Sequence, residues 1–160
     1  MPPNTKPANL VRIFVDADVL FRAATASHEH TAALVLLRLS EFTLWDVVTA
    51  VYTLEEAVRN IRRFMPTQEE PFFRLFSRSI RLINDPAPEQ IGAFETQADW
   101  KDVINRAAAV LADAHVLATF NKRDYTPEEG TMRILTPGEL LAEARAILYG
   151  NLSIKNYPGR

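Results

Sequence analysis

A chain of 160 residues, 48% of them hydrophobic and 24% charged, is long enough to bury the core of one domain without a covalent staple. It has no cysteine, which excludes disulfides and thiolate metal sites. Its net charge of −2 excludes binding nucleic acid by bulk charge alone, and no apolar run approaches the ~20 residues that span a bilayer.

Residues 1–10 hold the Pro2-Pro3 pair and no apolar core. They read as a loose tail rather than a signal peptide, and a cytoplasmic, membrane-free protein is expected. The β-branched run Val11 to Val15 predicts a buried strand, closed by Asp16-Ala17-Asp18. Helices are predicted over 19–26 and 31–39, and a second strand over the valine-rich 44–51. Thr53 with Glu56 three residues later has the pattern of a capping box, which predicts a helix over 54–64. Pro66 stops that helix, and Pro71 fits the first turn of the next.

A short strand is predicted over 80–83, a turn over 84–88 and a short helix over 90–96. A longer helix over 99–112 is expected to turn Val103, Ala107, Val110 and Leu111 inward. Strands over 115–120 and 132–135 flank a polar loop. Pro137 opens a last helix to about Leu148, and residues 149–160 read as a second tail.

Strands alternating with helices imply a mostly parallel sheet covered on both faces. In such sheets sites gather at the carboxyl ends of the strands. Asp16 follows the first strand directly, and Asn121 and Asp124 follow the fourth. If both strands are central, these groups meet at one edge. Several acids converging from distant points in the sequence are what a hard divalent cation requires, and such a cation can activate water against a phosphodiester.

Each candidate has a plainer reading. Asp16 also suits the N-cap of the following helix, and Asp18 could serve either role. Asp99 and Asp102 suit a helix N-terminus. Glu55 and Glu56 differ by about 100° around their helix; periodicity puts Glu55 nearer the apolar face and Glu56 on the side of Arg59 and Arg63. His28 and His30 read as a solvated loop. Residues 59–81 carry six arginines against two glutamates, and residues 82–102 carry five acids against Lys101. An arginine-rich surface beside an acidic cluster suits a metal-dependent nuclease, and equally suits two solvated faces. There is no glycine-rich phosphate loop and no nucleophile-elbow serine, which counts against nucleotide kinases, dehydrogenases and serine hydrolases.

The runs VRIFVDADVL at 11–20, VVTAVYTLEEAVRNI at 47–61, KDVINRAAAVLADAHVLATFNKRDY at 101–125 and RILTPGELL at 133–141 together resemble the PIN-domain family, over about residues 10–148. The resemblance implies an α/β fold, a PIN-like three-layer sandwich with a mostly parallel central sheet flanked by helices, occupying residues 11–148. It also implies a Mg²⁺- or Mn²⁺-dependent ribonuclease, often the toxin of a VapC-like toxin–antitoxin pair. Carried over by position, Asp16, Glu56 and Asp102 match the family's first three acids. At the fourth, Asn121 stands where an acid is usual, and Asp124 could supply the missing carboxylate.

The implied site is therefore catalytic Asp16, Glu56, Asp102 and Asn121. Asp16, Asp102 and Asp124 are its metal ligands, and Arg59, Arg62 and Arg63 hold the RNA. The expected partners are RNA, an antitoxin protein, and a second copy in a homodimer. The apolar helix over 71–80 offers a partner groove or dimer face, or is simply core. Two rival readings stand beside this one. The first is a PIN-like RNA- or protein-binding module with weak or no catalysis. The second is a phosphatase using the Asp16-Ala17-Asp18 pair.

Overall fold

The computed structural model describes residues 10–42, 44–96, 98–100, 102–126 and 132–151. The expected N-terminal tail over 1–9, Lys101 and most of the C-terminal tail lie outside these residues. Five strands form one sheet: β1 Arg12–Val15, β2 Asp46–Ala50, β3 Arg81–Ile83, β4 Val116–Ala118 and β5 Arg133–Leu135. All four pairings are parallel, in the order β3-β2-β1-β4-β5. The chain thus winds outward from β1 to β3, then returns to place β4 on the other side of β1. That reversal opens a crevice beyond the carboxyl ends of β1 and β4, the place where open parallel sheets collect ligands.

The faces of the sheet are covered unequally. Ile13, Val15, Val47, Val116, Ala118 and Leu135 point into the larger core, because alternate strand residues share a face. Five helices build that side: α1 Ala17–Ala24, α2 Ala32–Glu41, α3 Val51–Phe64, α4 Glu69–Ser79 and α7 Pro137–Asn151. Phe14, Val48, Leu117 and Ile134 point the other way, against Ala108 and Ala109. Those alanines belong to α6 Val103–Leu111, which follows the short α5 Pro88–Ile91. Small residues let α6 approach the sheet closely, so its amino end reaches the crevice. The result is a three-layer α/β sandwich, as the alternation of elements implied.

Several element boundaries differ from the sequence reading, and two of the differences shape the site. The Thr53–Glu56 capping box does not form. Helix α3 begins at Val51, straight off β2, and Ala50 is its N-cap. Thr53 is wholly buried within the helix, and its hydroxyl donates to Asn105 Oδ1 at 2.6 Å. A tertiary partner has taken the group that a local cap would have used. In α6 the buried residues include Asn105, Arg106, Ala107, Ala108 and Ala109, while Leu111 is exposed. The close approach to the sheet selects small side chains over bulky ones. At the other end of the chain, α7 continues to Asn151, beyond the expected stop near Leu148.

Candidate active site

Asp16 ends β1 in extended backbone and caps α1, its Oδ1 accepting from the Ala17 N–H at 2.7 Å. Asp16 is therefore the helix cap, and it also stands at the strand end that the site reading requires. It is buried, and three further donors converge on its carboxylate. Asn105 Nδ2 donates to Oδ1 at 3.0 Å. Thr119 Oγ1 and the Tyr125 hydroxyl donate to Oδ2 at 3.0 Å and 2.8 Å. These donors come from α6, the end of β4 and the following loop, which the strand order brings together around the end of β1. Four acceptor sites meet four donors, so the carboxylate is saturated by protein groups.

The donors are themselves held. Asn105 is fully buried and oriented by Thr53. The Asn121 N–H donates to Thr119 Oγ1 at 3.0 Å, which turns the threonine proton toward Asp16. Burial and the Asp16 charge both raise the Tyr125 phenol, so it remains a donor at any working pH.

Around this anchor the acids crowd one another. Burial raises the Asp16 carboxyl against the pull of its hydrogen bonds, with the Asp124 charge adding to the rise. Burial and the Asp16 charge push Asp18 up to about 6. Its Oδ2 accepts from the Phe120 N–H at 2.9 Å, while its Oδ1 is buried with no hydrogen-bond partner. Asp102 stands at the amino end of α6 and makes no side-chain cap. Burial, then the charges of Asp16, Asp124, Glu56 and Asp99, push it up to about 7. Glu56 is raised by burial and by Asp16, with Arg59 opposing. Mutual repulsion of this kind marks carboxylates gathered in one small volume.

The residues chosen from sequence therefore sort as follows. The charges of Asp16, Asp124 and Glu56 all reach Asp102, and Asp16 and Glu56 also act on each other. Periodicity left Glu55 and Glu56 open; in the structure Glu55 is exposed, while Glu56 is half-buried and within the field of Asp16. Asn121 is exposed, and the structure gives its backbone N–H, rather than its side chain, a part in holding Thr119. The Arg59 charge acts on Glu56, Arg62 is paired with Glu69 at 2.6 Å, and Arg63 lies over the Phe64 ring. Tyr125 and Asn105 went unassigned in sequence. The only trace of Asn105 was a polar residue among the alanines of an inward stripe. Tyr125 looked like one more aromatic at the end of a polar loop.

The chemistry of this donor set fits a Mg²⁺- or Mn²⁺-type ion. Its ligands would be hard carboxylate oxygens, Asp18 Oδ1 has no partner of its own, and a dication would relieve the repulsion that lifts Asp102. As placed, no three His, Asp or Glu side chains among the described residues stand close enough to hold one ion. Binding therefore requires Asp102, Glu56 or Asp124 to swing toward Asp16.

No protein-family model and no curated protein sequence matches the chain. Solved structures do match. PAE2754 from Pyrobaculum aerophilum aligns over 88% of this chain and 99% of its own, at 16% identity and a TM-score of 0.61. A chain of the VapBC2 complex from Rickettsia felis, solved bound to a DNA fragment from its promoter, aligns over 78% of this chain and 98% of its own. Its identity is 13% and its TM-score 0.58. At such identities the likeness is one of fold. The fold of this chain is the PIN-like α/β sandwich that the sequence resemblance implied, shared with these structures over most of its length.

Proposed function

We infer that this chain is a metal-dependent endoribonuclease of the PIN type, acting as the toxin of a toxin–antitoxin pair. The observation that carries the reading is the convergence of Asp16, Asp124 and Glu56 charges on Asp102 at the crevice between β1 and β4, where burial and then those like charges push Asp102 up to about 7. Such a cluster is costly to a fold unless a cation or a proton relieves it. The fold shared with a chain of VapBC2 adds support to the toxin reading. No helix among the described residues is long and apolar enough to cross a membrane.

A bound Mg²⁺ or Mn²⁺ would supply the charge that activates water and neutralises the phosphate. Asp16, held by its four donors, would be the rigid ligand once the Tyr125 hydroxyl yields its place on Oδ2. Asp102 and Asp124 would be the adjustable ones. Glu56, half-buried and raised, would take the proton of the attacking water. Thr119 holds Asp16 and Asp18 in register.

The test is cleavage of single-stranded RNA in Mn²⁺ and in EDTA, by the wild type and by Asp102→Asn. Metal-dependent cleavage that is lost in EDTA and lost in the folded variant supports the reading. Cleavage by Asp102→Asn at the wild-type rate sinks the site assignment. A second reading, a binding module with little or no catalysis, is favoured by one specific observation: the Tyr125 hydroxyl occupies Asp16 Oδ2. Wild-type protein that binds RNA but never cuts it in Mn²⁺ would establish that reading instead.

A further inference from the structure

One cation on the first helix has no acidic partner among the described residues. Arg22, in the last turn of α1, lies over the Phe120 ring with its guanidinium carbon 4.3 Å from the ring centroid. No carboxylate among the described residues lies within ion-pair distance of it. By contrast Arg62, Arg74, Arg78, Arg81 and Arg133 are each tied to an acid. Arg22 stands four residues after Asp18 on the same helix, about 6 Å along the axis. The two residues grip Phe120 from either side: Asp18 takes its backbone N–H and Arg22 covers its ring.

Arg22 and Phe120 also line a cleft of about 390 Å³, with Thr25, Ser27 and His28 on its walls. That volume is within the range of small-ligand sites. The lining combines a free guanidinium, hydroxyls, an imidazole and an aromatic ring. Single-stranded RNA is recognised by groups of this kind, with bases stacked on aromatic rings or guanidinium planes and phosphates paired with arginine. Phe120 directly follows Thr119, which holds Asp16. A chain of RNA whose phosphate reached the acidic crevice would therefore pass its neighbouring nucleotide over Arg22.

We propose that the cleft between the carboxyl end of α1 and Phe120 binds the nucleotide adjacent to the scissile phosphate of a single-stranded RNA. Arg22 pairs with that nucleotide's phosphate, and the Arg22–Phe120 stack and His28 hold its base. The assignment rests on the ribonuclease reading for the position of the scissile phosphate and on its own geometry for the binding. The His28-containing loop, which sequence alone leaves as a solvated turn, becomes one wall of the substrate groove.

The test uses a short fluorescent single-stranded RNA of mixed sequence. Binding is measured in EDTA at several salt concentrations, and cleavage in Mn²⁺. Arg22→Ala is expected to weaken binding about tenfold and to lower the slope of log affinity against log salt by about 0.7, the value for one lost phosphate contact on a single strand. In Mn²⁺ it raises KM far more than it lowers kcat. Phe120→Leu, which keeps an apolar side chain against the core but removes the ring, weakens binding without changing the salt slope. Arg133→Ala removes a cation at the amino end of β5, the opposite end of the strands from Phe120, and leaves both quantities as in the wild type. An unchanged affinity and salt slope in a folded Arg22→Ala protein, or a wild type that does not bind the RNA, overturns the cleft. If the wild type binds and Arg22→Ala weakens it as expected, but Mn²⁺ brings no cleavage, the nuclease reading fails and the binding cleft stands. If the wild type cleaves and Arg22→Ala shares its KM, the cleft fails and the nuclease stands.

Discussion

Asp16 and Asp102 face the same chemistry from opposite physical situations, and substituting them should have opposite effects on stability. Asp16 is an acceptor met by four donors. In Asp16→Asn an amide nitrogen would confront two of them, at a cost of about 2–4 kcal/mol, so lost activity in that variant must be separated from lost fold by circular dichroism. Asp102 makes no side-chain cap and sits in the field of four other acids. Asp102→Asn should therefore raise the melting temperature by about 2–4 °C, corresponding to about 1 kcal/mol, while abolishing cleavage. Stability given up for function is common at active sites. Tyr125→Phe removes a buried donor to a charged group and should cost about 2 kcal/mol. It also frees an acceptor position on Asp16 Oδ2. Calorimetric titration with Mn²⁺ should show tighter binding by Tyr125→Phe than by the wild type; equal or weaker binding would mean that the phenol does not compete with the ion.

At the scale of elements, the ends of α3 and α6 show how local signals meet tertiary demands. Helix α3 begins three residues before its best local start signal, because β2 feeds it directly and Thr53 is needed by Asn105. Helix α6 closes with the Asp113 N–H donating to the Val110 carbonyl and the Ala114 N–H to the Ala109 carbonyl. This is the paired pattern of a Schellman stop. Asp113 occupies its left-handed position at φ 54°, where a β-carbon is strained and glycine is favoured. Asp113→Gly should stabilise the protein by about 1 kcal/mol, read as a shift of the denaturant midpoint at unchanged slope. Asp113 is exposed and belongs to the turn into the amino end of β4, so RNA cleavage should not change.

Across the whole molecule, Asp46 at the start of β2 ties the sheet together. Its carboxylate accepts from Arg12 of β1 at 2.8 Å and from Arg81 of β3 at 2.7 Å. Burial would raise this carboxyl, but the hydrogen bonds from Arg81 and Arg12 outweigh it and hold it below the usual carboxylate range. Its contribution to stability is thus present above the unfolded pKa and lost as pH falls through the depressed value. The crevice behaves oppositely. Asp18 and Asp102 are raised to about 6 and about 7, so their contribution is full below the unfolded pKa and lost as pH rises through those values. In EDTA the melting temperature should peak near about pH 4–5 and fall toward pH 8. Mn²⁺ should recover the loss at the alkaline side, and Asp102→Asn should flatten it. Asp46→Ala should lower stability by about 2–3 kcal/mol and weaken the acid-side fall.

Sequence alone determined the α/β class, the parallel sheet and the position of Asp16 at a strand end. Those follow from hydrophobic periodicity and from alternation of element types, which are local properties of the chain. The choice of Glu56 and Asp102 came from a family resemblance, and periodicity by itself did not choose between Glu55 and Glu56. Only the tertiary structure decided which groups hold Asp16. Asn105, Thr119 and Tyr125 are 89, 103 and 109 residues away from it, and no local pattern encodes a contact made by the return of β4 to the side of β1. It also decided that Arg22 lies over Phe120 with no acid in ion-pair reach among the described residues, while Arg62 is held by Glu69, because ion pairing depends on which acids the fold brings within reach.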